Sequence, residues 1–363
     1  MTAPEAVQRS DYMHWAKTRQ AARFNLAVSG VPGLALRDIP GALEDLEING
    51  ASTYGWPPLQ ETLARHLDVG ADRIVHAAGT SMANHLAMAV CLQPGDEVVI
   101  EHPTYELLVQ TAAYLGAGIR RIHRRPENRF QPDPADILAA FTARTRLVVL
   151  TNLHNPSSVR IPDASLLAIA ELAASRGARV LVDEVYLDGC SEPPPTTSHR
   201  LHDAILVTSS LTKVYGLSGL RCGWVVAHPD LAERMWRLND LFGVIPAHPA
   251  ERMSLAALRH LPTLRARSRR ILDTNRDAWN AFLESRSDLE CAPLEFGNVA
   301  FPRLKTGDVD ALCALLRGKY ETTVVPGHFF EMPDHFRVGI AAPIESFTEG
   351  LQRLAKALSE IRG

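Results

Sequence analysis

Lys213 stands in the stretch Ser209-Ser210-Leu211-Thr212-Lys213-Val214-Tyr215-Gly216-Leu217-Ser218-Gly219-Leu220-Arg221-Cys222-Gly223-Trp224, between the apolar runs 204–207 and 225–227. A lysine pinned between two expected buried strands is poorly placed as a solvated charge. It is well placed as an amine of lowered pKa that attacks a carbonyl. The hydroxyls of Ser209, Ser210 and Thr212, with Arg221 eight positions past the lysine, suit a phosphate: short donors at a strand end plus a permanently charged fork. For Lys213 taken alone, a turn with one solvent-facing lysine is the better explanation, so the choice falls to the other strand ends.

Residues 74–77 are followed by Ala78-Gly79-Thr80-Ser81 at an expected helix start, where free N–H groups, a hydroxyl and the helix dipole hold an anion. Ordinary capping by Thr80 or Ser81 accounts for the same residues. Residues 97–100 lead to His102-Pro103-Thr104-Tyr105, which sets an aromatic at the next strand end, as a packing residue or a stacking platform. Residues 147–150 lead to Asn152-Leu153-His154-Asn155-Pro156-Ser157-Ser158, a polar loop held extended before its proline, although turn chemistry alone explains both asparagines. Residues 180–182 lead to Asp183-Glu184-Val185-Tyr186. An acid directly after three apolar strand residues is partly buried and needs a positive partner, either a protonated ring nitrogen or an arginine of the fold. Together these ends assemble an amine, a carboxylate, a phenol, an amide, a flat aromatic and a phosphate cradle. That is the set pyridoxal phosphate requires, with a Schiff-base lysine and an acid for the pyridine nitrogen.

The elements that must position these groups alternate from residue 73 onward. Strands are expected at 74–77, 97–100, 119–123, 147–150, 180–182 and 205–207, with helices at 81–92, 105–115, 134–141 and 164–175. Apolar strands alternating with helices indicate an α/β fold with a largely parallel sheet covered on both faces, whose ligands sit beyond the carboxyl ends of the strands. After Pro229 long helices follow at 250–260 and 262–284, the second able to connect two domains. Strands at 299–303, 322–325 and 335–340 with helices at 309–317 and 345–361 then make a smaller α+β domain. Residues 1 to 24 read as an arm or helix with Tyr12, Met13 and Trp15 as anchors, and 24–28 as a short apolar run closed by the loop Ser29-Gly30-Val31-Pro32-Gly33. The division is an arm and part of the small domain over 1–45, a large domain over 46–260 and a small domain over 261–363.

With 363 residues, 46% of them hydrophobic and 22% charged, and a net charge of -3, the composition is that of an ordinary globular protein with no nucleic-acid polyanion as partner. The patch Arg120, Arg121, Arg124, Arg125 reads as a solvated strand end or a subunit contact. Five scattered cysteines without Cys-x-x-Cys spacing give no support to disulfides or a metal site. No apolar run reaches the ~18 residues of a membrane span, and the polar N-terminus lacks a signal-peptide core, so a cytoplasmic enzyme is expected.

In order and spacing, from Asn25 to about Leu358, these motifs resemble the fold-type I pyridoxal-phosphate enzymes of the class I/II aminotransferase family. The resemblance implies an aspartate-aminotransferase-like fold with a mostly parallel, seven-stranded sheet in the large domain, and pyridoxal 5'-phosphate as cofactor. It implies that Lys213 holds the cofactor and later moves the substrate proton, that Asp183 pairs with the pyridine nitrogen, that Tyr186 and Asn155 bond the ring oxygen, and that Tyr105 stacks on the ring. Gly79, Thr80, Ser210 and Arg221 match the phosphate positions. Tyr54, in Ser52-Thr53-Tyr54-Gly55-Trp56-Pro57, resembles the tyrosine that reaches the neighbouring subunit's phosphate, which implies a homodimer. Arg337 matches the arginine that grips the substrate α-carboxylate, and Gly30 the glycine that closes over it. Two departures stand out: Asn155-Pro156-Ser157-Ser158 replaces the usual Asn-Pro-Thr-Gly, and Leu59 stands near the position of the usual glycine after the Tyr54 region.

The resemblance implies a transaminase that moves an amino group between an α-amino acid and a 2-oxo acid. A carbon-sulfur lyase, a cyclopropane-forming synthase or another elimination enzyme uses the same residues, and a non-catalytic cofactor-binding sensor is the reading from a different class. The residues before Asn25 are too few for a winged helix, which counts against the sensor. Side-chain specificity is expected around Val31, Trp56, His154, Asn298 and His328, with no match to a second carboxylate-binding arginine.

Overall fold

The computed structural model describes residues 9–51, 53–190 and 193–361. Residues 1–8 of the expected arm and Ser52 of the Tyr54 motif lie outside the described residues. The arm contains a helix, α1 (Asp11–Thr18), capped by the Ser10 side chain, followed by a two-residue strand, β1 (Phe24–Asn25). Helix α2 (Pro57–Leu67), for which no sequence expectation was stated, starts on two prolines whose missing N–H groups cost nothing in a first turn.

The large sheet is built from β2 (Ile74–Ala78), β3 (Glu97–His102), β4 (Gly118–His123), β5 (Thr145–Thr151), β6 (Arg179–Asp183), β7 (Ile205–Ser210) and β8 (Cys222–Val226). Its order is β2-β8-β7-β6-β5-β3-β4, with β8 antiparallel to both neighbours and the other pairs parallel. The expected mostly parallel seven-stranded sheet is therefore the one that forms. Helices α3 (Gly79–Cys91), α4 (Glu106–Tyr114), α5 (Pro134–Ala140) and α6 (Asp163–Ser175) connect the parallel strands, and α7 (Pro229–Asn239) follows β8. Val98–Ile100, Leu147–Leu150 and Val180–Val182 are wholly buried. At roughly 1.5–3 kcal/mol for each large apolar side chain removed from water, these three strands anchor the domain.

Two cores line the two faces of this sheet, and a third holds the small domain. Ile39 and Ala42, N-terminal to the boundary drawn at 46, pack into the large-domain core. Helix α8 (His248–Arg259) leads into the 24-residue α9 (Leu261–Glu284), which gives Leu261 and Leu264 to the large domain and Leu272, Trp279 and Leu283 to the small one.

The small-domain strands are more broken than expected. The run 299–303 is two strands, separated by Phe301-Pro302: β10 (Val299–Ala300), and β11 (Arg303–Leu304), which pairs with β9 (Leu289–Glu290). Proline lacks the N–H a continuous ladder needs. The run 322–325 also splits, into β12 (Thr322–Thr323), parallel to β1, and β13 (Val325–Pro326). Strand β14 (Phe336–Gly339) lies between β10 and β13. Helices α10 (Val309–Tyr320) and α11 (Ile344–Glu360) cover these strands.

The arginine patch needs correction: Arg124 is buried, donates to Glu101 Oε2 at 2.6 Å, and is neither solvated nor a subunit contact, while Arg121 pairs with Glu331 at 2.8 Å. Among the described residues no helix is long and apolar enough to cross a membrane, and no group of three His, Cys, Asp or Glu side chains could hold a metal.

Candidate active site

Parallel register sets Thr151 of β5, Asp183 of β6 and Thr208 of β7 side by side at the carboxyl end of the sheet. Just beyond these ends lies a cavity of about 310 Å³ whose lining includes Lys213, Asp183, Asn155, Tyr186, Tyr105 and Arg337. Thr80 and Arg221 line it as well.

Burial and the Arg337 guanidinium lower the Lys213 amine to about 8, against the opposing pull of Asp183. Gly30 lies against the lysine: a Cβ there would sit 3.6 Å from Lys213 Cα, and the Val31 N–H donates to the Lys213 carbonyl at 3.0 Å. Asp183 is pushed up to about 6, chiefly by burial, although Asn84 Nδ2 donates to its Oδ2 at 2.8 Å and the Val185 N–H to its Oδ1 at 3.1 Å. A carboxyl so placed gains by meeting a cation. Burial likewise raises the Tyr186 phenol to about 12, despite a hydrogen bond with Ser29. The Tyr105 hydroxyl donates to Met13 Sδ at 3.4 Å.

Arg337 is buried, and its guanidinium donates to Asn155 Oδ1 at 3.0 Å, to the Tyr12 hydroxyl at 2.9 Å and to the Ala27 carbonyl at 3.2 Å. Its Nε is buried without a partner. Because Asn155 Oδ1 is engaged by Arg337, the amide Nδ2 is the atom left to donate to a ring oxygen.

Next to Thr80, Gly79 adopts φ +78°, and a Cβ there would run into the Arg221 guanidinium. The Gly79 N–H is already given to the Arg221 carbonyl at 2.8 Å, so the free donors of α3 are the next N–H groups in its first turn. Thr80 Oγ1 donates to Ser210 Oγ at 2.8 Å, and Thr212 Oγ1 is buried without a partner. Ser209 departs from expectation: its hydroxyl turns to the Glu184 carbonyl, into a separate cavity behind the sheet end. Lowered amine, raised acid, orphaned hydroxyl and glycine cradle fit a pyridine ring with a phosphate arm.

Tyr54 is not brought to the Lys213 cavity of its own chain. It is 41% exposed, donates to Asp240 Oδ2 at 3.3 Å, and its ring packs against Trp236 with centroids 5.8 Å apart. None of Val31, Trp56, His154, Asn298 and His328 lines the cavity. His328 meets Asp310 at the surface, and Asn298 Nδ2 donates to the Ser29 carbonyl.

Sequence reading missed Asn84 and the reach of Tyr12 to Arg337. Asn84 sits on the buried face of α3 with Ala83, Leu86, Ala87 and Val90, and a polar residue on an apolar helical face is the signal that could have found it. Thr208 Oγ1 donates to Asn84 Oδ1 at 2.6 Å, which fixes the amide's orientation toward Asp183.

The two shifts set opposite pH windows for the cofactor-free protein. Between 3.8 and about 6 the folded Asp183 holds a proton the unfolded one has lost, so stability falls as pH rises. Between about 8 and 10.5 the unfolded Lys213 holds a proton the folded one has lost, so stability rises with pH. Denaturant unfolding of the apoprotein should therefore show an upper rise of at most ~3 kcal/mol that Lys213→Met removes. An unchanged profile in that variant contradicts the burial of a strained amine.

A family model described as "Aminotransferase class I and II" matches residues 32–358. Capreomycidine synthase of Streptomyces vinaceus is 31% identical, over 98% of this chain and 95% of that protein. Among solved structures, an aminotransferase from Streptococcus suis superposes with TM-score 0.91 at 23% identity, covering 98% of both chains. The cyclase OrfR superposes with TM-score 0.89 at 23% identity, covering all of both chains.

Proposed function

The chain belongs to the class I and II aminotransferase family, and from that premise we propose that it is a transaminase, exchanging an amino group between an α-amino acid and a 2-oxo acid. Its cofactor is pyridoxal 5'-phosphate, which when bound supplies an electron sink for charge developing at the substrate Cα. The observation that carries the reading is the convergence of Lys213, Asp183, Asn155, Tyr186 and Arg337 on one cavity at the carboxyl ends of parallel strands.

Each residue takes a part that its surroundings suit. Lys213, lowered to about 8, holds the cofactor and exchanges a proton near neutral pH at its Nζ. Asp183 offers its carboxylate to the pyridine nitrogen, Asn155 Nδ2 and the Tyr186 hydroxyl address the ring oxygen, and Tyr105 covers the ring face. Thr80, Ser210, Arg221 and the first turn of α3 hold the phosphate. Arg337 grips the α-carboxylate in a bidentate geometry that lysine would not reproduce. Tyr54, exposed and away from its own chain's cavity, faces a second copy of the chain and completes that copy's phosphate site, which makes the working unit a homodimer.

A second reading has its own support. Capreomycidine synthase matches over nearly its whole length, and OrfR is a cyclase that depends on the same cofactor. Under this reading Lys213 removes the same Cα proton, the Cβ substituent departs with its bonding pair, a nucleophile of the same substrate bonds to Cβ, and the Cα proton is returned, so that the nucleophile's own proton leaves with the departed group.

A half-reaction screen separates them. Holoenzyme is mixed with each ¹⁵N-labelled amino acid in turn, without an oxo-acid acceptor. Transamination releases an equivalent of 2-oxo acid and leaves ¹⁵N with the enzyme. Cyclisation keeps ¹⁵N in a ring product, and a carbon-sulfur lyase yields pyruvate and ammonia from a cysteine-type substrate. Absence of 2-oxo acid from every amino acid sinks the transaminase reading.

A further inference from the structure

The asparagine loop ends in Ser157-Ser158, and both hydroxyls are in use. The Pro103 carbonyl can only accept, so His154 Nε2 donates to it at 2.9 Å, and Nδ1 is left to accept from Ser157 Oγ at 2.6 Å. Ser158 stands at φ +61°, a left-handed conformation disfavoured for a residue with a Cβ and free for glycine.

What the serine adds is a link between the two domains. Its hydroxyl donates to the Val299 carbonyl at 2.6 Å and accepts from the Val299 N–H at 3.2 Å. Val299 belongs to β10, an outer strand of the three-stranded small-domain sheet, so one side chain satisfies both main-chain groups on its open edge. Strand β10 pairs with β14, Val299 opposite Gly339 and Ala300 opposite Val338, and β14 carries Arg337. At the facing position Gly297 has φ +98°, and a Cβ there would run into Ser158 Oγ. Three residues before Ser158, Asn155 accepts from Arg337 itself.

We infer that Ser158 is a positioning residue for the substrate carboxylate site: its hydroxyl straps β10, and through it the Arg337 strand, to the loop that carries Asn155. Glycine would suit the backbone better and provide no strap. The inference rests on the reading of Arg337 as the carboxylate arginine.

Ser158→Gly and Ser158→Ala holoenzymes separate the strap from mere stability. Glycine relaxes the backbone while losing the hydroxyl, and alanine loses the hydroxyl while keeping the strain. Ser158→Ala should therefore melt at the lower temperature. Both variants should bind amino acids roughly tenfold more weakly, read by visible absorbance with the twenty proteinogenic L-amino acids as probes. Both should exchange the Val299 amide proton faster and hold the cofactor as tightly as the parent. Amino-acid binding within twofold of the parent in Ser158→Gly overturns the inference, as does a loss that follows melting temperature rather than the hydroxyl. Arg337→Gln keeps the two readings apart. Unaltered binding in that variant removes the carboxylate reading, whereas a large loss there with none in Ser158→Gly removes the strap alone. Should no amino acid bind the parent, the carboxylate reading falls and Val299 exchange still decides the strap.

Discussion

Lys213→Ala is expected to lower turnover by at least about four orders of magnitude, because one amine is assigned both to hold the cofactor and to move the substrate proton. The variant should also lose the visible absorbance of a lysine-bound cofactor while keeping its fold, since Leu211, Val214 and Tyr215 pack the loop from either side. The amine lines the cavity and is lowered to about 8, and among the described residues no other lysine lines that cavity to take its place. Spectra of the purified variant and its initial rates on the best amino acid from the screen check both parts. Full activity, or an unchanged visible band, would remove Lys213 from the site.

Asp183→Asn should cost roughly 10²–10³ in rate, the usual size of losing a preorganised charge at a dry site. Asp183 is the one carboxylate among the residues lining the cavity, so no neighbour can take over the charge facing the pyridine nitrogen. The asparagine is nearly isosteric, and Asn84, held by Thr208, still has an amide to meet, so the loss should lie in rate more than in cofactor retention. Rates from pH 6 to 9 decide the matter. Activity within tenfold of the parent across that span would mean the ring nitrogen is not the partner of Asp183.

Part of the site was legible because Asp183, Asn155 and Lys213 stand at or shortly past the ends of strands that carry apolar runs. Asp183 follows three wholly buried residues, Asn155 follows β5, and Lys213 follows β7, and a strand end is a local pattern that needs no knowledge of distant chain. Tyr12 shows the opposite case: its hydroxyl meets Arg337 across 325 positions, and no periodicity encodes that meeting. The two-residue strands of the small domain are too short to leave an alternation, so 299–303 and 322–325 read as single strands although Pro302 and Val324 interrupt them. Arg124 looked like a surface charge because its neighbours are charged, yet its buried partner Glu101 comes from the adjacent strand.

The Tyr12 hydroxyl on Arg337 has a further consequence. The guanidinium already gives hydrogen bonds to a phenol, an amide oxygen and a carbonyl, with its Nε left over. Under the proposed carboxylate role of Arg337, an incoming acid must outcompete a neutral acceptor of the protein's own, and a charge-assisted bidentate bond is strong enough to do so. An amine without a carboxylate has nothing to exchange for the phenol and leaves the arginine content as it is. The roof of the cavity thus doubles as a built-in competitor, and every ligand is measured against it.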